Sequence, residues 1–544
     1  MWPHNHFRDS NLGPRTYTHT LNRYRIFPIS VFYLYMIVSE AHFKKGHIQV
    51  DSMFKYFLTF LFINTFIYGQ KKPNILLICI DDLRNDLGCY GNSVVKSPNL
   101  DNIARRGVRF DKHYVQVAVC NPSRTSMLLG MRPDKSNVFT LSCNFKDHTP
   151  WAVSIPQYFA VNGYHSAGIG KIDHGKVPDP QNWSEPKLKV SSRTWSEKSL
   201  LNLKEWKLQA KESGESQGYI NRRRANCIEM EDVADSSRFD GAITDAAILK
   251  LKELKTKKKP FFFAVGYVKP HMPFNAPRKY WDLYNRDTLS ISTNKKPPVG
   301  APVFALNTNY ELRDYIDFSK ALHPADGELT EKEARALIHG YYASISYMDS
   351  QVGRLIEALD SEGLTEQTII VIWSDHGWKL GDFNGWGKMT NYELDTKSPL
   401  IIIDPRLKSS INSSRSQLVE SLDIFPTLCD LADLPKPEQL DGISLVPLLK
   451  NASFTSRKAV YSQYLREKRK KNGALSGIMG HTVRTEEYRY ISWRDFESGI
   501  LKSEELYDLK INSIEKVNVV KHKEYSTVLK ELKMLESKNW PQKE

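Results

Sequence analysis

Two long apolar runs, each followed by acidic side chains, constrain the fold of this 544-residue chain more than any other feature. Residues 73–80 are almost continuously apolar and lead into Asp81 and Asp82, and residues 368–373 lead into Asp375. Uninterrupted runs of this length are typical of strands buried on both faces of a parallel sheet. Strand and helix patterns alternate over most of the chain, which predicts an α/β fold with a mainly parallel central sheet.

The acidic residues fall where the predicted strands end. Adjacent carboxylates such as Asp81 and Asp82 repel each other, so we expect a bound cation there, the alternative being a plain exposed turn. Ligands of open α/β sheets bind outside the carboxyl ends of the strands, which predicts one shared site for Asp81, Asp82, Asp375 and His376. A set of three carboxylates and one His is rich in hard oxygen ligands, so it favours Ca²⁺ or Mg²⁺ over zinc.

A helix start is predicted at the segment 120–130, which contains Cys120, Pro122, Ser123, Arg124 and Gly130. Proline suits the first helical turn, and glycine can end the helix. The thiol of Cys120 would then lie beside free backbone N–H groups at the positive end of the helix dipole, an environment that suits an oxyanion. The ordinary alternative for a single Cys is a small buried apolar side chain.

Four further basic side chains follow predicted strands or lie in Gly-rich loops. Lys171 and His174 come just after a short predicted strand, and Lys388 lies in a loop rich in Gly and Trp. His271 lies between two prolines that hold the backbone extended, which suits a fixed side chain. Residues of these types are ordinary in loops, but together with Arg124 they could surround an anion that carries negative charge into a transition state.

Composition limits the possible partners. The chain has 76 Lys and Arg against 62 Asp and Glu, a net charge of +14, which favours a polyanion such as nucleic acid, anionic lipid or sulfated polysaccharide. The basic runs at 255–259 and 466–471 are more typical of solvated loops. The six cysteines show no C-x-x-C spacing, so a zinc ribbon is excluded and disulfides do not form the scaffold.

The sequence divides into four predicted parts. Residues 1–52 are expected to be a non-native or disordered extension, the alternative being an uncleaved membrane anchor. Residues 53–70 have the short apolar core of a signal peptide, so no integral membrane span is expected in the mature chain. Residues 71–455 form the predicted catalytic domain, with irregular insertions at about 178–235 and 285–330. Residues 456–544 carry short aromatic runs typical of a small antiparallel sheet.

The segment 120–130 matches every fixed position of the pattern C-x-P-S-R-x-x-x-L-x-G, and on it the chain resembles the formylglycine-dependent sulfatases of the alkaline-phosphatase-like superfamily. The motifs around Asp81, Lys171, His271 and Asp375 make the iduronate-2-sulfatase branch the most similar. The resemblance implies a large alkaline-phosphatase-like domain and a smaller C-terminal antiparallel-sheet domain. It also implies that a formylglycine-generating or anaerobic sulfatase-maturating enzyme converts Cys120 to 3-oxoalanine (formylglycine).

The resemblance also implies roles for the predicted site residues. Ca²⁺, rather than Mg²⁺, would be bound by Asp81, Asp82, Asp375, His376 and the modified residue 120. The aldehyde would be hydrated, and one hydroxyl, helped by Asp375, would attack sulfur. The remaining roles would be shared among basic side chains: Lys171 holds sulfate oxygens, His174 takes the proton from the second hydroxyl, His271 and Lys388 stabilise or protonate the leaving oxygen, and Arg124 positions residue 120.

The implied substrate is the 2-O-sulfate of iduronate in heparan- or dermatan-type glycosaminoglycans, with no nucleic acid involved. Alternatives are a sulfatase for another sulfated polysaccharide, such as an algal one, and a non-catalytic polyanion-binding protein. Family members often carry a His where this chain has Val268, which leaves one substrate contact open. The predicted compartment is extracytoplasmic, with the periplasm or the cell exterior of a bacterium favoured and the lysosome as the alternative.

Overall fold

A computed structural model describes residues 72–174, 183–408, 411–455, 457–469 and 475–540. The predicted extension and signal peptide therefore lie outside the described residues. The described residues make one compact unit. Its strands are β1 Asn74–Asp81, β2 Val108–Tyr114, β3 His165–Gly170, β4 Phe261–Pro270, β5 Thr368–Ser374, β6 Lys379–Leu380, β7 Trp386–Gly387, β8 Leu400–Ile403, β9 Ser413–Glu420, β10 Ala459–Arg469, β11 Leu475–Thr485, β12 Tyr488–Asp495 and β13 Leu501–Asp508.

The helices follow in chain order between these strands. They are α1 Pro98–Ala104, α2 Cys120–Leu129, α3 Pro133–Ser136, α4 Ile155–Val161, α5 Glu197–Glu212, α6 Gln217–Arg222, α7 Phe239–Thr256, α8 Arg278–Trp281, α9 Tyr310–Arg313, α10 Glu331–Ser361, α11 Glu393–Thr396, α12 Ile424–Leu431, α13 Val446–Lys450 and α14 Ser526–Asn539. Within the part of the chain that the structure describes, every helix is too short or too polar to cross a bilayer.

The central sheet has seven strands in the order β3-β4-β1-β5-β8-β2-β9. Strand β8 runs antiparallel to both of its neighbours, and all other pairs are parallel. Ile78 of β1 pairs with Val265 of β4 on one side and with Ile372 of β5 on the other. The predicted α/β class with a mainly parallel sheet is therefore confirmed.

Both faces of the sheet are covered, which is why its strands are apolar throughout. Alternate residues of β1 enter two different cores, because successive side chains of a strand point to opposite faces. Leu76 and Ile78 pack with the long helix α10 and with α7. Ile75 and Leu77 occupy the opposite face and pack with α2, α4 and α12. The period-2 alternation thus separates one apolar run into two cores.

One expectation about an irregular region was wrong. The segment 178–235 contains α5 and α6, whereas residues 285–330 are irregular as predicted apart from short helical turns such as α9. Helix α5 buries only Ser199 and Ala210 and has a capping hydrogen bond from Ser199 N to the Ser196 side chain. A helix held by its cap and by straight-chain residues shows no apolar stripe, which explains the error. Strand β9 escaped prediction because Ser, Arg and Gln dominate its sequence.

The C-terminal strands form the expected antiparallel sheet, in the order β10-β11-β12-β13, with α14 packed against it. This sheet holds the loop that follows β7. Glu393, the first residue of α11 at the end of that loop, accepts hydrogen bonds from Arg484 Nε at 3.0 Å and from Arg489 Nη2 at 2.5 Å. The C-terminal sheet therefore helps to fix the segment that carries Lys388, while the division of the chain at 455/456 stays a prediction.

Candidate active site

The ends of β1 and β5 meet at the centre of the sheet. Ile80 pairs with Ser374, so the acidic residues that follow the two strands become neighbours. The backbone N–H of Asp82 donates to Asp375 Oδ1 at 3.0 Å, and that of Asp375 donates to the Ile80 carbonyl at 3.2 Å. Asp82 has a φ of 61°, an uncommon left-handed conformation for a residue with a side chain. The turn brings three fully buried carboxylates together: Asp81, Asp82 and Asp375.

Cys120 is the first residue of α2, and its thiol points into this acidic cluster. Its Sγ lies 3.5 Å from His376 Nε2, 3.4 Å from Lys388 Nζ and 3.9 Å from Asp82 Oδ1. Gly130, with a φ of 63°, ends the helix as its sequence position predicts. Burial raises the pKa of the Cys120 thiol well above its usual value. Burial therefore favours the neutral thiol over the reactive thiolate.

Arg124 joins the helix to both strand ends. Its fully buried guanidinium donates from Nε to Asp375 Oδ2 at 2.9 Å and from Nη2 to Asp81 Oδ1 at 3.0 Å. Nη1 donates to the carbonyls of Lys171 and Ile172. Burial alone would raise the pKa of Asp81, but Lys171 and Arg124 hold it well below its usual value. Arg124 thus pairs with two carboxylates at once and fixes the loop after β3.

Basic side chains surround the thiol on the other sides. Lys388 Nζ donates to Asp82 Oδ1 at 2.6 Å and is almost completely buried, whereas Lys171, which donates to Asp81, is 21% exposed. His271 Nε2 lies 3.9 Å from Asp82 Oδ2. His174 shares the loop of Lys171, and its buried Nδ1 has no hydrogen-bond partner among the described residues. Burial and the charge of Lys171 lower the pKa of His174 to about 4.

The cluster could hold a metal ion. Two overlapping groups have donor atoms that all lie within 4.8 Å of one another: Asp81, Asp82, Cys120 and His271, and Asp82, Cys120, Asp375 and His376. Together they contain all five predicted ligands. Asp82 Oδ2 is buried and accepts no hydrogen bond from the part of the chain that the structure describes, as expected of an oxygen that serves a cation. The surplus of carboxylate oxygens fits a hard divalent cation such as Ca²⁺ or Mg²⁺ better than zinc.

Comparison with known proteins identifies this arrangement. The model of the family described as Sulfatase matches residues 73–434, most of the chain. The chain belongs to the sulfatase family. A second model, described as N-sulphoglucosamine sulphohydrolase, C-terminal, matches residues 381–539. As a member of this family, the protein is a sulfuric ester hydrolase.

Individual relatives of this sulfatase agree with the family match. Iduronate 2-sulfatase of Homo sapiens is 32% identical over 480 residues, which cover 78% of this chain and 85% of the human protein, and that of Mus musculus is 31% identical over 482 residues. A solved structure, described as in complex with its substrate D-glucosamine-2-N,6-O-disulfate, aligns with a TM-score of 0.65. It covers 86% of this chain and 97% of its own at 23% identity, a likeness that shows the fold.

Sequence reasoning missed one charged residue of this sulfatase site. Glu311, on the short helix α9, lies with Oε1 3.1 Å from His271 Nε2 and with Oε2 3.6 Å from Lys388 Nζ. Its segment was predicted to be irregular, and an isolated Glu in such a segment gives no local signal. All the predicted site residues except His174 are linked by the contacts above, and His174 lies three positions beyond Lys171.

Proposed function

We propose that this sulfatase hydrolyses the 2-O-sulfate of iduronate units in heparan- or dermatan-type glycosaminoglycans, using formylglycine at position 120 and a bound Ca²⁺. The observation that carries the proposal is the thiol of Cys120, which points from a helix start into three buried carboxylates and the amine of Lys388. The substrate is supported by the iduronate 2-sulfatase relatives. The net charge of +14 suits a polyanionic glycan.

The surroundings of Cys120 favour its modification over direct use of the thiol. A buried neutral thiol is a weak nucleophile, because the reactive form is the thiolate. An aldehyde at the same position can take up water and present hydroxyl groups where Sγ now lies, next to His376 and Lys388. Forming it oxidises Cβ by two electrons: the bond from Cβ to sulfur breaks, the sulfur leaves as sulfide, and an oxygen atom takes its place. We propose that a formylglycine-generating or anaerobic sulfatase-maturating enzyme supplies the oxidant.

Ca²⁺ would be held by Asp81, Asp82, Asp375, His376 and the modified residue 120. When bound, it would offset the charge of the sulfate ester. Side chains of the protein would carry out proton transfer and hold the sulfate group. Asp375 would take the proton of the attacking hydroxyl, and Lys171, partly exposed beside Asp81, would hold sulfate oxygens.

Proton transfer would use the histidines on two sides of residue 120. His271, together with Lys388, would donate to the oxygen of the departing sugar. His174 would accept a proton as sulfate leaves; burial and Lys171 lower its pKa to about 4, which keeps the imidazole neutral and therefore able to take up a proton. The net reaction consumes one water and yields the sugar alcohol and sulfate.

We further propose that the protein acts outside the cytoplasm, in the periplasm or after secretion, with a lysosomal location as the alternative. Sulfated glycans are extracellular polymers, so an enzyme that degrades them needs access to such a compartment. Fractionation of the native host, followed by detection of the protein, tests this proposal. Recovery in the cytoplasmic fraction alone would contradict it.

The first experiment combines mass spectrometry with a substrate panel. Protein from its native host, or co-expressed with a maturation enzyme, is digested with trypsin, and the peptide 113–124 is expected to carry an aldehyde at position 120. The same preparation is given a 2-O-sulfated iduronate disaccharide, a 6-O-sulfated glucosamine and sulfated algal oligosaccharides. Preferential release of sulfate from the first supports the specificity. Turnover of the algal substrates alone would assign the alternative substrate class, and an unmodified thiol in active protein would overturn the mechanism.

A further inference from the structure

Three consecutive arginines lie at the end of α6, and two of them share one carboxylate. Arg222 Nη2 lies 3.3 Å from Asp314 Oδ1, and Arg223 Nη1 lies 3.4 Å from the same oxygen. The third, Arg224, is exposed and forms no ion pair with a carboxylate among the described residues. Of the three positive charges, that of Arg224 is therefore the one left available to a ligand.

The backbone of Arg224 is held against the segment that follows α9. Its N–H donates to the Asp314 carbonyl at 2.7 Å, and its carbonyl accepts from the N–H of Ile316 at 3.2 Å. The guanidinium lies over the ring of Tyr315, 5.8 Å from the ring centroid. A side chain that is already held in this way loses little conformational entropy when it binds a ligand.

The chain before and after Arg224 places it beside the loop of His271. Ile228 pairs in parallel with Phe274. The two strands of a parallel pair run in the same direction, so the residues before Ile228 are directed towards the residues before Phe274. Arg224 and His271 are therefore at the same end of this pairing.

The electrostatics agree with this position. Burial alone would raise the pKa of the Glu311 carboxyl, but Lys388 and His271 hold it well below its usual value. Arg224 acts on Glu311 in the same direction, so its charge reaches the edge of the site. Because Glu311 is paired with His271 and Lys388, Arg224 keeps its own charge for a ligand.

This edge is the open side of the site. The side chains of Glu311 and His271 are 16% and 15% exposed, whereas Cys120 and Asp82 are almost fully buried. A sulfate group that reached residue 120 would leave its sugar on the solvent side, because the buried side is filled by the sheet and α2. The proposed substrate carries further anions there: the carboxylate of iduronate and any sulfate on the next sugar.

We propose that Arg224 is a specificity-determining residue that binds an anionic group of the substrate other than the sulfate ester being cleaved. The inference rests on the proposed function. The planar fork of a guanidinium matches the oxygens of a carboxylate and of a sulfate. Arg224 takes no part in breaking the ester, so its contact stabilises the bound substrate and the transition state alike. Such a contact lowers KM and leaves kcat unchanged.

Three esters distinguish the two sources of the anion. The first is a 2-O-sulfated iduronate disaccharide without further sulfate, the second is the same compound with its carboxyl reduced to an alcohol, and the third is the first with an added sulfate on the neighbouring sugar. Arg224→Met and Arg224→Lys, both bearing the aldehyde, are compared with the unaltered enzyme on each. We expect kcat/KM of Arg224→Met to fall by about 10- to 100-fold, through KM, wherever the recognised anion is present.

The pattern of the loss identifies the anion. A loss on the first ester assigns the carboxylate, and a loss on the third ester alone assigns the neighbouring sulfate. On the reduced ester Arg224→Met should equal the unaltered enzyme. Arg224→Lys should recover part of the loss, because it keeps the charge but not the fork. Arg222→Met is the matched control and should match the unaltered enzyme, because Arg223 still pairs with Asp314.

Three results would overturn the inference. They are an equal loss on all three esters, a fall in kcat at constant KM, and no loss on any ester. Thermal unfolding of Arg224→Met should equal that of the unaltered chain, since the side chain is exposed. If that variant is unstable, Arg224→Gln replaces it in the comparison.

Failure of the proposed function gives a different result. An unaltered, aldehyde-bearing enzyme that releases sulfate from none of the three esters would refute the proposed substrate, and the same variants are then compared on algal oligosaccharides with one and with two sulfates. An active unaltered enzyme whose Arg224 variants lose nothing would refute only the role of Arg224.

Discussion

Two clusters of buried charge can be compared in this protein, one around Cys120 and one between the loop after β7 and the C-terminal sheet. We call the first, made of Asp81, Asp82, Cys120, Arg124 and Lys388, the catalytic cluster. The second, the structural cluster, contains Glu393, Arg484, Arg489, Glu505 and Glu515. Both contain acidic and basic side chains almost fully removed from water. Burial of charge therefore does not by itself distinguish a reactive site from a structural one.

The clusters differ in what their charges converge on. In the catalytic cluster they surround one thiol, and basic side chains such as Lys171 reach solvent at one side. In the structural cluster they join segments of the fold: Glu393 binds Arg484 and Arg489, and Arg489 also pairs with Glu515 at 2.7 Å. Two features other than burial therefore distinguish the catalytic cluster: its charges surround a single side chain, and one side of it is open to solvent. The predictions below test this distinction, from the largest expected effect to the smallest.

Replacing Cys120, the residue that the catalytic cluster surrounds, should abolish activity and leave the fold intact. For Cys120→Ala we expect sulfate release to fall by at least ~10⁴-fold, because the group to be modified is absent. Thermal unfolding should change little, since only one sulfur atom is removed. Cys429→Ala, in a buried position of α12, is the matched control and should keep full activity. Substantial activity in Cys120→Ala would show that the reaction does not depend on residue 120, and the assignment of this cluster as catalytic would be wrong.

Removing one charge from the structural cluster should lower the stability of the fold and leave the activity of the folded protein nearly unchanged. Arg489→Met leaves the carboxylates of Glu393 and Glu515 buried without this partner, and loss of one member of a buried ion pair costs about 3–5 kcal/mol. Denaturant unfolding should report that loss, while kcat per folded molecule changes only a few-fold. Arg354→Met, at a partly exposed position of α10, should unfold like the unaltered chain. A loss of kcat at unchanged stability in Arg489→Met would contradict the structural role of this cluster.

A pH-dependent contribution to stability is expected from Glu505. Burial raises the pKa of its carboxyl to about 7, even though Trp493 and Tyr392 donate hydrogen bonds to it. The folded state therefore binds this proton more tightly than the unfolded state. The resulting stability is present below about pH 4.5 and is lost as the pH rises to about 7, by at most about 3 kcal/mol.

Comparison of the unaltered chain with Glu505→Gln isolates this contribution. The free energy of unfolding is measured in urea at a series of pH values between 4 and 8. The difference between the two proteins should change across this interval, whereas Glu357→Gln should run parallel to the unaltered chain. A constant difference would show that Glu505 does not titrate there.

The smallest effect concerns the metal. Ca²⁺ at about 100 times its dissociation constant should stabilise the fold by about 2.7 kcal/mol if it binds only the folded state. Asp82→Asn, which removes the charge of the carboxylate whose Oδ2 accepts no hydrogen bond from the described residues, should abolish this response, and a chelator should reverse it. In Glu393→Gln, Ca²⁺ should stabilise the fold by the same amount as in the unaltered chain, measured from the variant's own stability without Ca²⁺. Equal stabilisation of both variants would place the ion elsewhere.

The sequence alone determined the features that depend on local pattern. The apolar runs predicted β1 and β5, the helix signals predicted that α2 begins next to Cys120, and the rule for strand ends predicted that Asp81 and Asp375 share an edge. These succeed because strand burial and helix capping are encoded within a few consecutive residues.

Only the tertiary structure decided the rest. It placed β8 antiparallel between β5 and β2, and it brought Glu311 from an irregular segment to His271 and Lys388. It also showed that Glu393 is held by the C-terminal sheet. Such contacts join residues far apart in the chain, and the side chains involved carry no periodic signal. Their positions depend on how whole elements pack, which no local pattern records.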